Sequence, residues 1–70
     1  MFLLPSSVRI SVASEPTDLR RGFDGLSALT RSVIGADPMS GHLFVFLNRR
    51  RDRIKVLVWD RTGYLLLYKR

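Results

Sequence analysis

The alternation of apolar and polar positions is sharpest between Leu43 and Asp60, LFVFLNRRRDRIKVLVWD. Leu43, Val45 and Leu47 interleave with Phe44, Phe46 and Asn48, and Ile54, Val56 and Val58 interleave with Lys55, Leu57 and Trp59. A period of two in β-branched and aromatic residues, broken by the polar segment Asn48 to Asp52, predicts a β-hairpin with that segment at its tip. Upstream, Val8 to Ala13 (VRISVA) alternates in the same way, with Val8, Ile10 and Val12 on one face of a half-buried strand that Ser14, Glu15 and Pro16 end. The period then changes. Leu19, Phe23, Leu26, Leu29, Thr30 and Val33 recur at spacings of three and four, which predicts one apolar stripe on a helix. Thr17 or Asp18 is placed to cap the start of that helix, and Gly35 to stop it. Gly22 and Gly25 weaken its first turns, each by roughly 1 kcal/mol against alanine. Asp37 to Gly41 and Asp60 to Gly63 are turns by composition, and Tyr64 to Tyr68 is a third apolar run.

The element order is therefore strand, helix, then three strands in a meander. It predicts an α+β fold of two layers, with one helix packed on a mostly antiparallel sheet. Seventy residues make one small domain, 1–70, of which residues 1–7 are expected to form a loose arm because Pro5 and two serines discourage regular structure. A domain of this size buries only about 60% of the surface its unfolded chain exposes, so its core is thin. The last strand is apolar on both faces, with Tyr64, Leu66 and Tyr68 on one and Leu65 and Leu67 on the other. One helix covers one face only. The natural chain is expected to continue past residue 70, or to form a homo-oligomer through the uncovered face.

Charge adds a direction to this pattern. Net charge is +6, and from Met1 to Leu47 four bases cancel four acids, so the whole excess lies between Asn48 and Arg70. Arg49, Arg50, Arg51 and Arg53 crowd the hairpin tip, with Lys55 just behind. Guanidinium forks suit bidentate phosphate contacts, and clustered positive charge is the recurrent footprint of polyanion binding, so these five residues are the candidate nucleic-acid contacts and DNA the candidate partner. The competing reading is a soluble hairpin tip that discourages edge-to-edge aggregation, or a surface that docks an acidic protein segment. Arg20 and Arg21 read differently: a local pairing with Asp18 or Asp24 is favoured over a place on the basic surface. Trp59 could stack on a base, but a core or interface position is favoured, and with Tyr64 and Tyr68 it forms the candidate protein interface.

Other chemistries find little here. The chain has no cysteine and one histidine, His42, which excludes disulfides and a thiolate or histidine-based structural zinc site. The acids are scattered rather than clustered for metal-dependent DNA cleavage. Asp52-Arg53-Ile54-Lys55 resembles the acid-x-lysine element of restriction-type nucleases, but its spacing is one residue too long. No cofactor, no metal and no enzymatic activity are expected. The short apolar patch at Phe2 to Leu4 is broken by Pro5, too short for a signal peptide or a membrane span, so the expectation is a soluble, cytoplasmic chain.

Several short motifs in order carry a family resemblance. Asp18-Leu-Arg-Arg-Gly-Phe-Asp-Gly-Leu26, Asp37-Pro38, Gly41-x-Leu-Phe-Val-Phe46, Asn48-Arg-Arg-Arg-Asp-Arg-Ile-Lys55, Trp59-Asp60, Gly63 and Lys69-Arg70 resemble the TnpB accessory proteins of the insertion-sequence-66 family of bacterial transposons. The resemblance runs from about Val8 to Arg70. It implies an accessory role in transposition, the element-encoded DDE-type transposase as partner, and DNA as the ultimate substrate. It also implies a chain that carries on past the Lys-Arg pair. The reading that follows is a non-enzymatic accessory protein that binds DNA phosphates through the basic hairpin. The alternative is a protein-interaction module that docks the transposase without touching DNA, and a metal-dependent nuclease stands third.

Overall fold

A computed structural model describes residues 7–70 of the chain. The expected arm at residues 1–7 therefore lies outside the described residues except for Ser7. Strand β1 is Ile10–Val12, helix α1 is Phe23–Leu29 with a π-helical continuation Thr30–Ile34, and strands β2, β3 and β4 are Leu43–Leu47, Ile54–Asp60 and Gly63–Lys69. The strands lie side by side in sequence order. β1 pairs with β2 in parallel across the helical crossover, and β2–β3 and β3–β4 are antiparallel. This is the expected α+β arrangement, with the expected hairpin running through the Asn48–Arg53 tip.

The register sorts every strand residue onto one of two faces. Ser11, Phe44, Leu57 and Leu66 form one row across the sheet, and Phe46, Lys55 and Tyr68 another on the same face. This face meets the helix. Leu26, Phe44, Phe46 and Leu57 are fully buried there, joined by Ala13 and flanked by Leu19, Leu29, Ile34, Ala36, Tyr64 and Leu66. The opposite face is also apolar. Val12, Val45, Val56 and Leu67 align across all four strands, and the pairs Ile10–Leu43 and Val58–Leu65 share their side of the sheet. No described residue packs over it, and Ile10 and Val12 remain 59% and 54% exposed.

Three expectations are corrected by this arrangement. β1 is shorter than Val8–Ala13, and its apolar side faces away from the helix, because the parallel register puts Ser11 and Ala13 on the helix side with Phe44. The helix does not start at Thr17 or Asp18. Gly22 is extended (φ −98°, ψ −155°) and precedes a helix beginning at Phe23, and among the described residues no side chain caps it. Asp18 instead ties down a turn, its carboxylate accepting the Arg20 N–H at 3.0 Å and its carbonyl the Arg21 N–H at 3.2 Å.

The apolar stripe is also rotated. Phe23 and Val33 are exposed, whereas Thr30 is fully buried and Ile34 packs on the core. The cause lies at the end of the helix. The Gly35 N–H donates to the Thr30 carbonyl five residues back at 2.9 Å, a π turn that brings Ile34 rather than Val33 round to the sheet. The Thr30 hydroxyl, buried beneath the helix, donates to the Leu26 carbonyl at 2.9 Å, so burial leaves it satisfied. Gly35 then takes the left-handed conformation (φ 77°) that ends the helix, as its sequence position predicts.

The two faces differ in what they contribute to stability. Replacing the fully buried Leu57 by Ala should cost about 2–5 kcal/mol, the range for a cavity in a packed core. Leu67→Ala, on the same sheet but the open face, should cost less than about 1 kcal/mol. Urea unfolding of both variants checks this, and equal costs would mean that the open face is as well packed as the helix side.

Candidate nucleic-acid interface

The tip of the β2–β3 hairpin is held by one side chain. The Asn48 Oδ1 accepts the N–H groups of Asp52 and Arg53, both at 3.1 Å, and its Nδ2 donates to the Asp52 carboxylate at 2.7 Å. The Asn48 carbonyl accepts the Arg51 N–H at 3.0 Å, and the Asn48 N–H returns to the Arg53 carbonyl at 3.3 Å. Inside this frame Arg51 is left-handed (φ 58°), which for a side chain with a Cβ costs roughly 1–2 kcal/mol. Five hydrogen bonds through Asn48 offset that cost and fix the loop that carries Arg49, Arg50 and Arg51. Hydrogen bonding from Asn48 also pulls the Asp52 carboxyl below its ordinary value, so a negative charge stays anchored among the arginines.

The site residues do not all converge. Arg49, Arg50 and Arg53 line a groove of about 570 Å³ between the tip and the loop from β1 to α1, and Arg20 joins them from that loop. Arg51 is not part of its lining. Lys55 sits on the helix side of the sheet, where its ammonium donates to the Arg21 carbonyl at 3.0 Å and lies 5.4 Å from the centre of the Tyr68 ring. It ties the helix-entry loop to the sheet and stands back from the tip. The three candidate interface aromatics also part company. Trp59 and Tyr64 pack edge to face at 5.0 Å, and Tyr64 stacks on Phe23 at 6.0 Å, which joins the helix start to the β3–β4 end of the sheet. Tyr68 borders the groove instead.

Arg20 is the groove residue whose charge is locally compensated. Its Nε and Nη2 meet the Asp18 carboxylate at 3.0 and 2.8 Å, the one side-chain ion pair among the described residues. That pairing is the local one expected from sequence. These hydrogen bonds hold the Asp18 carboxyl at about 2, down from 3.8, and raise Arg20. The open sheet face, as a surface spanning all four strands, is absent from the residues that sequence reasoning singles out. Its signal is present in the sequence, since Val45, Val56 and Leu67 alternate as regularly as the core residues do.

Among the described residues no group of three or more His, Cys, Asp or Glu side chains could hold a metal ion, and no helix is long and apolar enough to cross a membrane. Fold and site together define a small α+β domain with a cationic hairpin and one open apolar face. The chain belongs to the insertion-sequence-66 Orf2-like family, whose model matches residues 8–70. The chain is 47% identical over 62 residues to "Uncharacterized protein y4jC" of Sinorhizobium fredii, covering 89% of this chain and 53% of that protein. It is 39% identical over 70 residues to "Uncharacterized protein y4hO" of the same organism, covering 97% of this chain and 61% of that protein. The chain thus spans between half and two thirds of the length of these relatives. No solved structure matches it.

The Asp18–Arg20 pair has a pH signature. The folded value of Asp18 lies below its ordinary 3.8, so its stabilising contribution is complete above about pH 4 and is lost as pH falls through about 2. An NMR titration of the Asp18 carboxyl carbon should show a midpoint near 2, and Arg20→Ala should return it towards 3.8. A midpoint near 3.8 in the unmodified chain would contradict the pairing.

Proposed function

We propose that the chain is a non-enzymatic accessory factor of transposition that contacts DNA phosphates through Arg49, Arg50, Arg51 and Arg53. The observation that carries this reading is the presentation of these arginines on a loop that Asn48 hydrogen-bonds together. The entire net charge of +6 falls after Leu47, and its densest part is a loop fixed by Asn48. Solubility asks only for charge, whereas phosphate contact gains from guanidinium groups on a fixed frame. The contacts are to the DNA backbone and position the protein without reading bases. Their strength therefore falls steeply with salt, since each neutralised phosphate releases counterions.

Binding to labelled duplex DNA carrying the element's terminal inverted repeats, titrated over salt, tests the reading. Arg49, Arg50 and Arg51 changed together to Ala should lower the slope of log K against log salt by about 0.9 for each phosphate no longer neutralised. An unchanged slope would remove the tip from the interface. A scrambled duplex of equal length separates recognition of the ends from general backbone binding.

A second reading rests on a different observation, the open apolar face. In it the chain docks the element's transposase and never touches DNA. Apolar contacts persist at salt concentrations that dissolve phosphate contacts. This reading predicts a complex with the transposase that survives about 0.5 M salt, where exposed charges more than a few ångströms apart are screened. Val56→Asp and Leu67→Asp should abolish that complex, and the unmodified chain alone should bind neither the terminal-repeat duplex nor the scrambled one. A complex that dissociates in salt but is insensitive to both substitutions would count against it.

A further inference from the structure

We infer that the groove between the hairpin tip and the β1–α1 loop binds an unpaired nucleotide of single-stranded DNA, with the base against Tyr68 and the phosphate among Arg49, Arg50 and Arg53. The inference rests on the DNA reading above and narrows it to a strand form. Its first support is shape. A tip alone could touch any DNA backbone, but three of its arginines border a concave space of about 570 Å³. Its volume falls within the roughly 300–1,000 Å³ of small-molecule sites, and the groove stays widely open to solvent, as a chain passing through it requires. A duplex, whose phosphates run along the outside of a stiff rod, can lie across such a groove but cannot enter it. A single nucleotide with its base unstacked can.

The second support is the chemistry of the walls. Four guanidinium groups (Arg20, Arg49, Arg50, Arg53) face two carboxylates (Asp18, Asp52), so the groove carries a positive excess of two. An aromatic ring shares the lining with them. Tyr68 is 48% exposed, and the Lys55 ammonium lies 5.4 Å from its ring centre, over one of its two faces. Pro16 and Leu19 complete an apolar wall beside it. A cationic track next to a stacking platform is the combination that binds single strands irrespective of sequence, because every base has a π face and every phosphate a charge. The third support is the division of labour among the arginines. Arg51 lies outside the lining, so it serves any backbone passing over the tip, whereas Tyr68 serves only a base that has left its stack.

Fluorescence anisotropy with the full chain tests this. The probes are labelled oligothymidylate of about twelve nucleotides, so that any one of its bases can enter the groove while its neighbours pass the tip, and a mixed-sequence duplex of the same length. Tyr68→Ala should weaken single-strand binding about tenfold, corresponding to one stacked base, and should leave duplex binding within about twofold. Tyr68→Phe should behave as the unmodified chain. Arg51→Ala should weaken both probes alike. Should Tyr68→Ala be poorly folded, Tyr68→Leu keeps the apolar bulk without the ring and is held to the same expectation. Single-strand binding unaffected by loss of the ring, or weakened equally in Tyr68→Phe, would overturn the nucleotide groove while leaving duplex contact by the tip intact. Binding to neither probe would overturn the DNA reading and this inference together.

Discussion

Everything in this domain follows from how little helix there is to cover how much sheet. Twelve helical residues, Phe23 to Ile34, lie on a sheet of four strands and seal one face with Leu26, Phe44, Phe46 and Leu57. The period-two alternation of the strands leaves the other face equally apolar and open. Burial therefore fixes the register firmly on one side, since a slip of one residue would exchange the phenylalanines of β2 for Leu43, Val45 and Leu47. The side that is sealed anchors the long hairpin, and the hairpin carries the charge out to its tip. A thin core and a concentrated charge are thus two ends of the same element.

At the tip, electrostatics and backbone geometry work against the fold and are contained by Asn48. Three consecutive arginines repel one another, and Arg51 adopts a left-handed backbone. The hydrogen bonds that Asn48 makes to Asp52 and Arg53, together with the anchored Asp52 charge, hold the loop in one conformation. Local strain that surrounding structure over-determines is a recurrent property of functional loops. On the neighbouring loop, Asp18 does similar work for Arg20. The result is a set of guanidinium groups whose backbones are fixed while their side chains reach solvent.

Much of this was legible in the sequence. The hairpin and its tip could be read because β-branched alternation stops abruptly at Asn48 and resumes at Ile54. Gly35 announced the helix end. The helix start was misplaced because Asp18 and Leu19 have the right chemistry for a first turn, yet Asp18 pairs with Arg20 and Gly22 stays extended. The π turn at Thr30 leaves no periodic trace, and it is what puts Ile34 into the core in place of Val33. Alternation also does not say which face a helix will choose when both are apolar, so the exposure of Ile10 and Val12 could not be read from it. The groove is a meeting of segments about thirty residues apart, Pro16 to Arg20 and Asn48 to Arg53, and only the fold brings them together.

The central claim is that DNA meets this chain at the tip and not at the open sheet face. Titrating DNA into isotope-labelled protein and following each backbone amide by NMR tests it most directly. The shifts should cluster at Asn48 to Arg53, with Val12, Val45, Val56 and Leu67 unmoved. Shifts centred on those four residues, with the arginine loop silent, would contradict it.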